Sequence, residues 1–189
     1  MEAILSKECG FKLGRFSMKK QKFVLLDLNH INSLLESQNV KKINGIIGAE
    51  FLKATKAIID SEGPVSINVI VSRIRDAHGF KKAGNKMRTT IASAIPSDYR
   101  STTFKHDGNE TRFYWPKDFD PKEWIAARYP QADEENSHRE LLDVCPQEIK
   151  AIGRQVEDKD NLTKEISDYL GFSRCTNEMA DYIEKAIEN

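Results

Sequence analysis

The chain has 189 residues, of which 39% are hydrophobic and 31% are charged, and its formal net charge is zero. This composition is typical of a globular protein with one sizeable core or two small ones. No apolar run approaches the roughly 18 residues that a membrane span needs, and the N-terminus lacks the long apolar stretch of a secretory signal. We therefore expect a cytoplasmic protein with no membrane contact.

The zero net charge hides an uneven distribution along the chain. Residues 1–63 carry a net charge of +3, residues 64–117 carry +6 and residues 118–189 carry −9. Phosphate groups attract a basic segment and repel an acidic one. If the protein binds nucleic acid, we expect the middle segment to bind it.

The spacing of potential ligands and nucleophiles indicates no catalytic or metal centre. The three cysteines contain no CxxC pair, and the four histidines lack companions at ligand spacing. The GFKKAGNK sequence at 79–86 departs from a phosphate-binding loop, because Asn85 stands where that loop needs its lysine. No paired-carboxylate nuclease pattern is visible. We expect no enzymatic activity, no metal ion and no cofactor.

Residues 1–44 are interpreted as a basic arm followed by a helix. Lysine and arginine recur between residues 12 and 22 without a persistent period. They form either a solvated tail or an arm that supports nucleic-acid binding. The apolar residues of 23–37 predict a short strand or turn that leads into a helix capped near Asn29.

Residues 45–117 carry the elements of a winged helix-turn-helix domain. A helix is predicted from about residue 48 to 60, and Glu62-Gly63-Pro64 ends it because proline cannot continue a helix. The next three residues, 65–67, are a candidate edge strand. Ser66 or Asn68 is a candidate N-cap for the helix that follows.

Two short amphipathic helices joined by a glycine turn form the centre of this domain. The first is predicted at 68–78, and Gly79-Phe80 is expected to close it as a glycine C-cap. The second, at about 85–95, buries an apolar stripe and leaves basic and hydroxyl side chains near its N-terminal end. Such a pair is a helix-turn-helix, in which that end of the second helix enters the major groove.

A β-hairpin, or wing, is predicted after the second helix. The runs 101–105 and 111–115 are rich in residues that favour strands, and turn-forming residues separate them at 106–109. The hairpin would contact the DNA backbone or the minor groove, which positions the protein without specifying sequence.

These elements predict a nucleic-acid-binding surface made of basic and hydroxyl side chains. Its predicted members are Arg73, Lys81, Lys82, Lys86, Arg88, Thr89, Lys105 and Arg112. The net charge of +6 in this segment favours phosphate contacts. The alternative interpretation is that exposed helices simply carry charge.

Residues 118–145 are interpreted as an acidic linker and residues 146–189 as a second helical domain. Trp124 and Tyr129 have acidic neighbours, so we expect them to pin the linker onto the first domain rather than to stack on bases. Three helices are predicted in the second domain, at about 146–156, 161–170 and 177–187.

The two helix-turn-helix segments form an internal repeat. Residues 70–95 align with 162–187 at a constant offset of 92 without a gap, and they share the core stripe and the turn glycine. Lys81, Lys86, Arg88 and Thr89 are replaced in the second copy by Ser173, Glu178, Ala180 and Asp181. We expect the second copy to be wingless and acidic, and to serve packing or partner contacts.

Several short motifs in this order resemble one known family. They are Glu62-Gly63-Pro64, the GFKKAGNKM sequence at 79–87, Tyr114-Trp115-Pro116, Pro146-Gln147-Glu148-Ile149 and the GFSR sequence at 171–174. Over most of 52–189 the chain resembles the bacterial domain-of-unknown-function family number three thousand three hundred and twenty. Members lie at the C-terminal end of very large superfamily-one helicase proteins. The resemblance implies a part in nucleic-acid processing, in defence against foreign DNA, but carries over no helicase or nuclease activity.

The sequence thus predicts a mainly α protein with a small β-hairpin (α+β). Its order is a winged helix-turn-helix, then a second, wingless helix-turn-helix unit of three helices. We expect a non-enzymatic module that binds double-stranded DNA, with a helicase or nuclease as protein partner. The alternative is an adaptor that docks on that partner without contacting DNA. A third interpretation is a fragment of a multidomain enzyme.

Overall fold

The computed structural model describes residues 20–23, 25–36, 49–131 and 137–188. Within these ranges the protein has a mixed α+β fold, which confirms the predicted class. It contains seven α-helices, a three-stranded antiparallel sheet and a two-stranded parallel pairing. The greater part of the predicted basic arm, at 1–19, lies outside the described residues, as do residues 37–48 and residues 132–136 of the predicted acidic linker.

Helices α2 to α7 and strands β2 to β4 lie within three residues of their predicted bounds, whereas strands β1 and β5 were not predicted, since they lie in stretches interpreted as an arm and a linker. The helices are α1 (Leu28–Glu36), α2 (Ala49–Glu62), α3 (Ile67–Ala77), α4 (Asn85–Ala94), α5 (Pro146–Gly153), α6 (Leu162–Tyr169) and α7 (Asn177–Glu188). The strands are β1 (Lys20–Lys22), β2 (Val65–Ser66), β3 (Ser101–His106), β4 (Asn109–Tyr114) and β5 (Ala127–Tyr129). No helix of the described ranges is both long and apolar enough to cross a membrane.

Helices α1 to α4 enclose the first hydrophobic core. The apolar stripe of α3 supplies Ile70 and Ile74, and α4 adds Ile91 from its own stripe; all three are fully buried. Helix α3 begins where the Ser66 hydroxyl accepts a hydrogen bond of 3.1 Å from the Val69 backbone N–H. Ser66 is therefore the N-cap, which fixes the start of the helix next to strand β2.

Helices α5 to α7 enclose a second core, and their turn copies the turn of the first unit. Gly79 and Gly171 both have a positive φ, of 70° and 82°. Phe80 N–H donates to the Arg75 carbonyl at 3.1 Å, and Phe172 N–H donates to the Ser167 carbonyl at the same distance. This is the hydrogen bond of a Schellman cap, and its donors and acceptors differ by the offset of 92.

The three-stranded sheet lies between the two helical units. Its strand order is β2-β4-β3, and a two-residue turn at Asp107-Gly108, both with positive φ, connects β3 to β4. Tyr114 faces the first core, whereas Phe104 and Phe113 belong to the second core. Because side chains alternate across a strand, the two faces of this small sheet contribute to different cores, and the face toward the first unit is buried at Val65 and Tyr114.

The stretch 118–145 follows the surface of both units over its described residues. Trp124 is buried, and its ring packs edge-on against Trp115 with 5.4 Å between the ring centroids. Strand β5 pairs in parallel with β1, and Lys20 lies opposite Ala127. Two short 3-10 turns, Pro121–Glu123 and Leu141–Asp143, complete the connection.

A buried arginine of β5 holds the two units together. Arg128 donates from Nη2 to Glu148 Oε2 at 2.7 Å and to the Pro64 carbonyl at 2.6 Å, and from Nη1 to the Glu62 carbonyl. Arg139 Nη1 also donates to Glu148 Oε2, at 2.6 Å. Glu148 lies in the first turn of α5, Glu62 ends α2 and Pro64 precedes β2, so this cluster links α5 to the start of the first unit's sheet.

Candidate nucleic-acid interface

The turn between α3 and α4 and the first part of α4 form an exposed basic surface. Residues 77–97 contain four Lys or Arg residues and no Asp or Glu. All four of these side chains are exposed: Lys81, Lys82, Lys86 and Arg88. We call these four residues the α4 basic surface. The sequence therefore offers no carboxylate within this segment to neutralise them.

The backbone at the start of α4 adds to the positive potential. Gly84 occupies the N-cap position in an extended conformation and has no side chain with which to cap the helix. The first N–H groups of a helix lack intrahelical acceptors and carry the positive end of the helix dipole. Together with the neighbouring lysines they favour an anion such as a phosphate group.

Two polar side chains of α4 have partners within the protein. Arg88 Nη1 donates to Asn68 Oδ1 at 2.7 Å, and Asn68 Nδ2 in turn donates to Asp143 Oδ1 at 3.2 Å. The Thr89 hydroxyl donates to the Asn85 carbonyl at 3.0 Å, one turn earlier in the same helix. The start of α3 therefore orients Arg88, while Thr89 is exposed with its hydroxyl hydrogen directed toward the helix backbone.

Arg73 lies apart from the exposed basic residues. Its side chain is buried, with the residue 7% exposed, and Nε donates to Glu62 Oε1 at 3.0 Å. Nη2 donates to the Leu26 carbonyl, which ties α3 to the chain just before α1. The expectation of an exposed Arg73 is thus corrected, because the face of α3 that carries it packs against α2 and the chain before α1.

The carboxylate that pairs with Arg73 is itself fully buried. Burial raises the pKa of Glu62 above its usual value, and the charge of Arg73 partly offsets this effect. The Leu26 N–H also donates to Glu62 Oε1, at 3.0 Å. Arg73 therefore neutralises a buried carboxylate, and the sequence signal for this role was an acidic residue at the end of the preceding helix.

Lys105 and Arg112 are exposed on the hairpin. Arg112 lies opposite Thr103 in the strand register, and Lys105 Nζ lies 3.1 Å from Glu110 Oε2 across the strands. The alternation of side chains places both residues on the sheet face that carries Tyr114, which is the face toward the first helical unit. The opposite face is covered by α7, where Phe104 packs edge-on against Tyr182 at 5.0 Å.

An exposed aromatic residue next to the α4 basic surface was not among the predicted site residues. Phe80 is 39% exposed, and its ring stacks on His78 with 5.2 Å between centroids. Burial lowers the pKa of His78, so its neutral form is favoured. The repeat counterpart of Phe80, Phe172, packs against the second core, whereas Phe80 is exposed beside Lys81. No sequence signal marks this difference, because both repeats carry the same Gly-Phe pair. Exposed aromatic rings among basic residues are surfaces on which nucleic-acid bases stack.

The corresponding surface of the second repeat is acidic. Glu178 and Asp181 are exposed on α7 at positions equivalent to Lys86 and Thr89. A hydrogen bond from Lys185 and one from His106 lower the pKa of Asp181, so it is ionised at neutral pH. This surface would repel a phosphate backbone.

Comparison with known proteins gives one match. Residues 52–89 match the family of proteins of unknown function named DUF3320. The predicted family is confirmed over these residues. The DUF3320 segment runs from α2 through α3 to Thr89 in α4, so it contains Arg73 and the whole α4 basic surface. The hairpin and the second repeat lie outside the matched residues, and no curated protein or solved structure matches the chain.

Proposed function

We propose that this protein is a non-enzymatic DNA-binding module that contacts duplex DNA through the α4 basic surface. The observation that carries the proposal is the exposure of four cationic side chains in a 21-residue stretch without any carboxylate. Lysine and arginine side chains that contact phosphates release counterions, which provides most of the affinity of non-specific binding. Thr89, Lys105 and Arg112 would add contacts at the edge of this surface.

The proposed docking is that of a winged helix-turn-helix. The element order α2, β2, α3, α4, β3, β4 is the order expected for such a domain over residues 45–117, and β2 joins the hairpin in one sheet. In this arrangement α4 is the recognition helix, and its N-terminal residues approach the major groove. Lys105 and Arg112 are suited to contact the backbone beside it, because they project from the sheet face toward the first helical unit.

A salt series with a charge-matched control tests the proposal. The variant K81A/K82A/R88A removes two lysines and one arginine from the α4 basic surface. The control K53A/K164A/R174A removes the same residue types from exposed positions elsewhere, and Arg174 is the repeat equivalent of Lys82. Binding of a labelled random duplex is followed by fluorescence anisotropy at several salt concentrations.

The expected result is a difference in salt dependence between the two variants. Removing one side chain that binds a phosphate of duplex DNA lowers the slope of log affinity against log salt by about 0.9, so the slope of the first variant should fall by about 3. The control should keep the slope of the unmodified protein. Equal slopes for all three proteins, or no binding at low salt, would reject the proposed surface.

A second candidate function is an adaptor that docks on a protein partner. Phe119 and Ile125 are 49% and 58% exposed in the connection between the units, and such residues favour protein contacts. From the family resemblance, a helicase or nuclease is the proposed partner, in a defence-type DNA-processing system. F119S/I125S should abolish co-purification of that partner while K81A/K82A/R88A leaves it intact. The reverse result would argue against the adaptor.

A further inference from the structure

A groove between β3 and α5 forms a second basic surface that the proposed function does not use. Two adjoining cavities, of about 340 and 670 Å³, both border on Thr102, Gln147 and Lys150. The smaller cavity extends along β3 to Phe104, and the larger one extends toward Arg154 and the 3-10 turn at Pro121–Glu123. The combined groove therefore follows the outer side of β3, the strand at the edge of the sheet.

Positive charge dominates the lining of this groove. Four cationic residues line it: Arg100, Lys122, Lys150 and Arg154. The one carboxylate among its lining residues is Asp120, which lies 3.1 Å from Arg100 Nη1 and is paired with it. Three positive charges are thus left without a carboxylate in the lining. We call the four cations with the neighbouring hydroxyl and amide side chains the β3 groove.

The β3 groove also offers uncharged hydrogen-bond donors. Ser101, Thr102, Thr103 and Gln147 line it between the cations. The Thr102 hydroxyl accepts a hydrogen bond of 3.0 Å from Trp115 Nε1, which leaves its own hydrogen to donate. The groove thus combines cations with neutral donors, and this combination suits a ligand with repeated oxygen acceptors.

The backbone of β3 contributes further donors. Trp115 N–H donates to the Arg100 carbonyl at 3.0 Å, so residues 100 and 115 form a hydrogen-bonded pair of the antiparallel ladder. The next pair, Ser101 with Tyr114, is then a non-hydrogen-bonded pair, and so is Thr103 with Arg112. The N–H groups of Ser101 and Thr103 consequently point away from β4, toward the open edge of the sheet.

From these features we infer that the β3 groove binds the sugar-phosphate backbone of single-stranded nucleic acid. Residues 100–104 span about 13 Å at about 3.3 Å per residue, which is long enough for a chain rather than a single ion. Residues of β3 and α5 line the groove from two sides, an arrangement that suits one extended strand. The inference rests on the proposed function only in its choice of nucleic acid, and it uses a different surface.

An acidic peptide is the other polyanion that a basic groove attracts. Binding by strand addition requires pockets for alternate side chains of the peptide. The apolar lining residues Phe104 and Trp124 are buried, so they offer little surface to such side chains. The excess of cations over carboxylates, together with the neutral donors, matches the phosphates of a nucleic acid better, and this observation favours nucleic acid.

The test compares the whole protein with a groove variant and the charge-matched control. K122A/K150A/R154A removes two lysines and one arginine from the groove, as K53A/K164A/R174A does elsewhere. The probe is a short dye-labelled oligothymidylate, followed by fluorescence anisotropy across a salt series. Thermal unfolding of each variant verifies that it is folded.

The groove variant should bind the oligothymidylate at least about tenfold more weakly. Its slope of log affinity against log salt should be lower by about 2, because each contact to a single strand contributes about 0.7. The control should match the unmodified protein. Equal affinities of groove variant and control would overturn the inference, and so would a groove variant that loses affinity only for a polyglutamate peptide.

The proposals for the α4 basic surface and for the β3 groove can be rejected independently of each other. The variant K81A/K82A/R88A should lose duplex affinity and keep most of its affinity for the oligothymidylate. If it loses duplex binding while K122A/K150A/R154A binds the oligothymidylate normally, the proposed function stands and the groove inference is wrong. The opposite pattern would retain the groove and reject the α4 basic surface.

Discussion

His106 Nε2 lies 2.8 Å from Asp181 Oδ2, and this contact fastens the tip of the hairpin to helix α7. His106 is buried, and its ring also meets Tyr182 edge-on at 5.1 Å. The hairpin of the first unit is thus held in place by the acidic helix of the second. Asp181 belongs to the acidic surface of the second repeat, and the hairpin residue His106 is its partner.

The substitution H106A should lower the free energy of unfolding by about 1–3 kcal/mol, because it removes a buried ring and its hydrogen bond. D181A should have a smaller effect, since Asp181 is half-exposed and also pairs with Lys185. Denaturation in guanidinium chloride measures both. The exposed His30 provides the control, H30A. Equal stability of H106A and H30A would show that this contact does not hold the hairpin.

The buried Glu148 should make stability depend on acid pH. Burial would raise the pKa of Glu148, but the charges of Arg128 and Arg139 outweigh burial and hold it at about 2. A carboxylate with a lowered pKa stabilises the fold fully above its usual pKa of 4.5, and the stabilisation is lost as the pH falls toward 2. We expect a loss of about 3 kcal/mol over this interval.

The substitution E148Q tests this origin directly. It leaves two buried guanidinium groups without their counter-charge, which should cost about 3–5 kcal/mol at neutral pH. The remaining stability should vary less between pH 5 and pH 2 than that of the unmodified protein. Urea denaturation at each pH gives both quantities, with the exposed Glu184 changed in E184Q as control. An unchanged pH dependence in E148Q would assign the acid sensitivity to other groups.

The two turn glycines should differ in their tolerance of alanine. Both have a positive φ, so either substitution should cost about 1 kcal/mol of backbone strain. A Cβ at Gly171 would also lie 2.6 Å from Pro130 Cγ, whereas nothing lies within 4 Å of a Cβ at Gly79. G171A should therefore be clearly less stable than G79A in thermal unfolding. G84A, at an extended glycine with open space, should be close to neutral; similar losses in all three would contradict this interpretation.

The substitutions R73A and K82A should have opposite effects on stability and on DNA binding. R73A leaves the buried Glu62 carboxylate without its ion pair, so we expect a loss of about 3–5 kcal/mol in the free energy of unfolding. The DNA salt slope of the folded R73A protein should be unchanged. K82A should behave oppositely, with unaltered stability and a slope lower by about 0.9. If R73A lowered the slope of log DNA affinity against log salt under conditions where the protein is folded, Arg73 would be shown to take part in DNA binding.

Local signals predicted much of the first unit. The apolar spacing of α3 and α4 and the Gly79-Phe80 cap depend on residues within one or two helical turns, so the sequence displays them directly. The same cap at Gly171-Phe172 made the repeat visible, and both caps form the same hydrogen bonds. The strand β2 was also predictable, since Pro64 and the N-cap Ser66 leave few other conformations for so short a segment.

Contacts between distant segments were not predictable in the same way. Arg73 looks in the sequence like its half-buried neighbour Arg75, and its burial depends on Glu62 in another helix. Arg128 lies in a stretch interpreted as a linker, yet its partners are 20 to 66 residues away. The β3 groove brings Lys122 and Arg154 beside β3 only after the second unit has folded against the first. Contacts between residues so far apart in the chain leave no periodic pattern in the sequence.

The position of the sheet between the two cores changes how the duplication can be understood. The second helix-turn-helix is followed by no hairpin within the described residues, but it packs on the back of the hairpin that follows the first. A single hairpin therefore packs against both helical repeats. Removing residues 118–188 would strip the cover from Phe104, Phe113 and Trp115. The first repeat would then have to be redesigned on that face before it could be isolated, because these three aromatic side chains would become exposed.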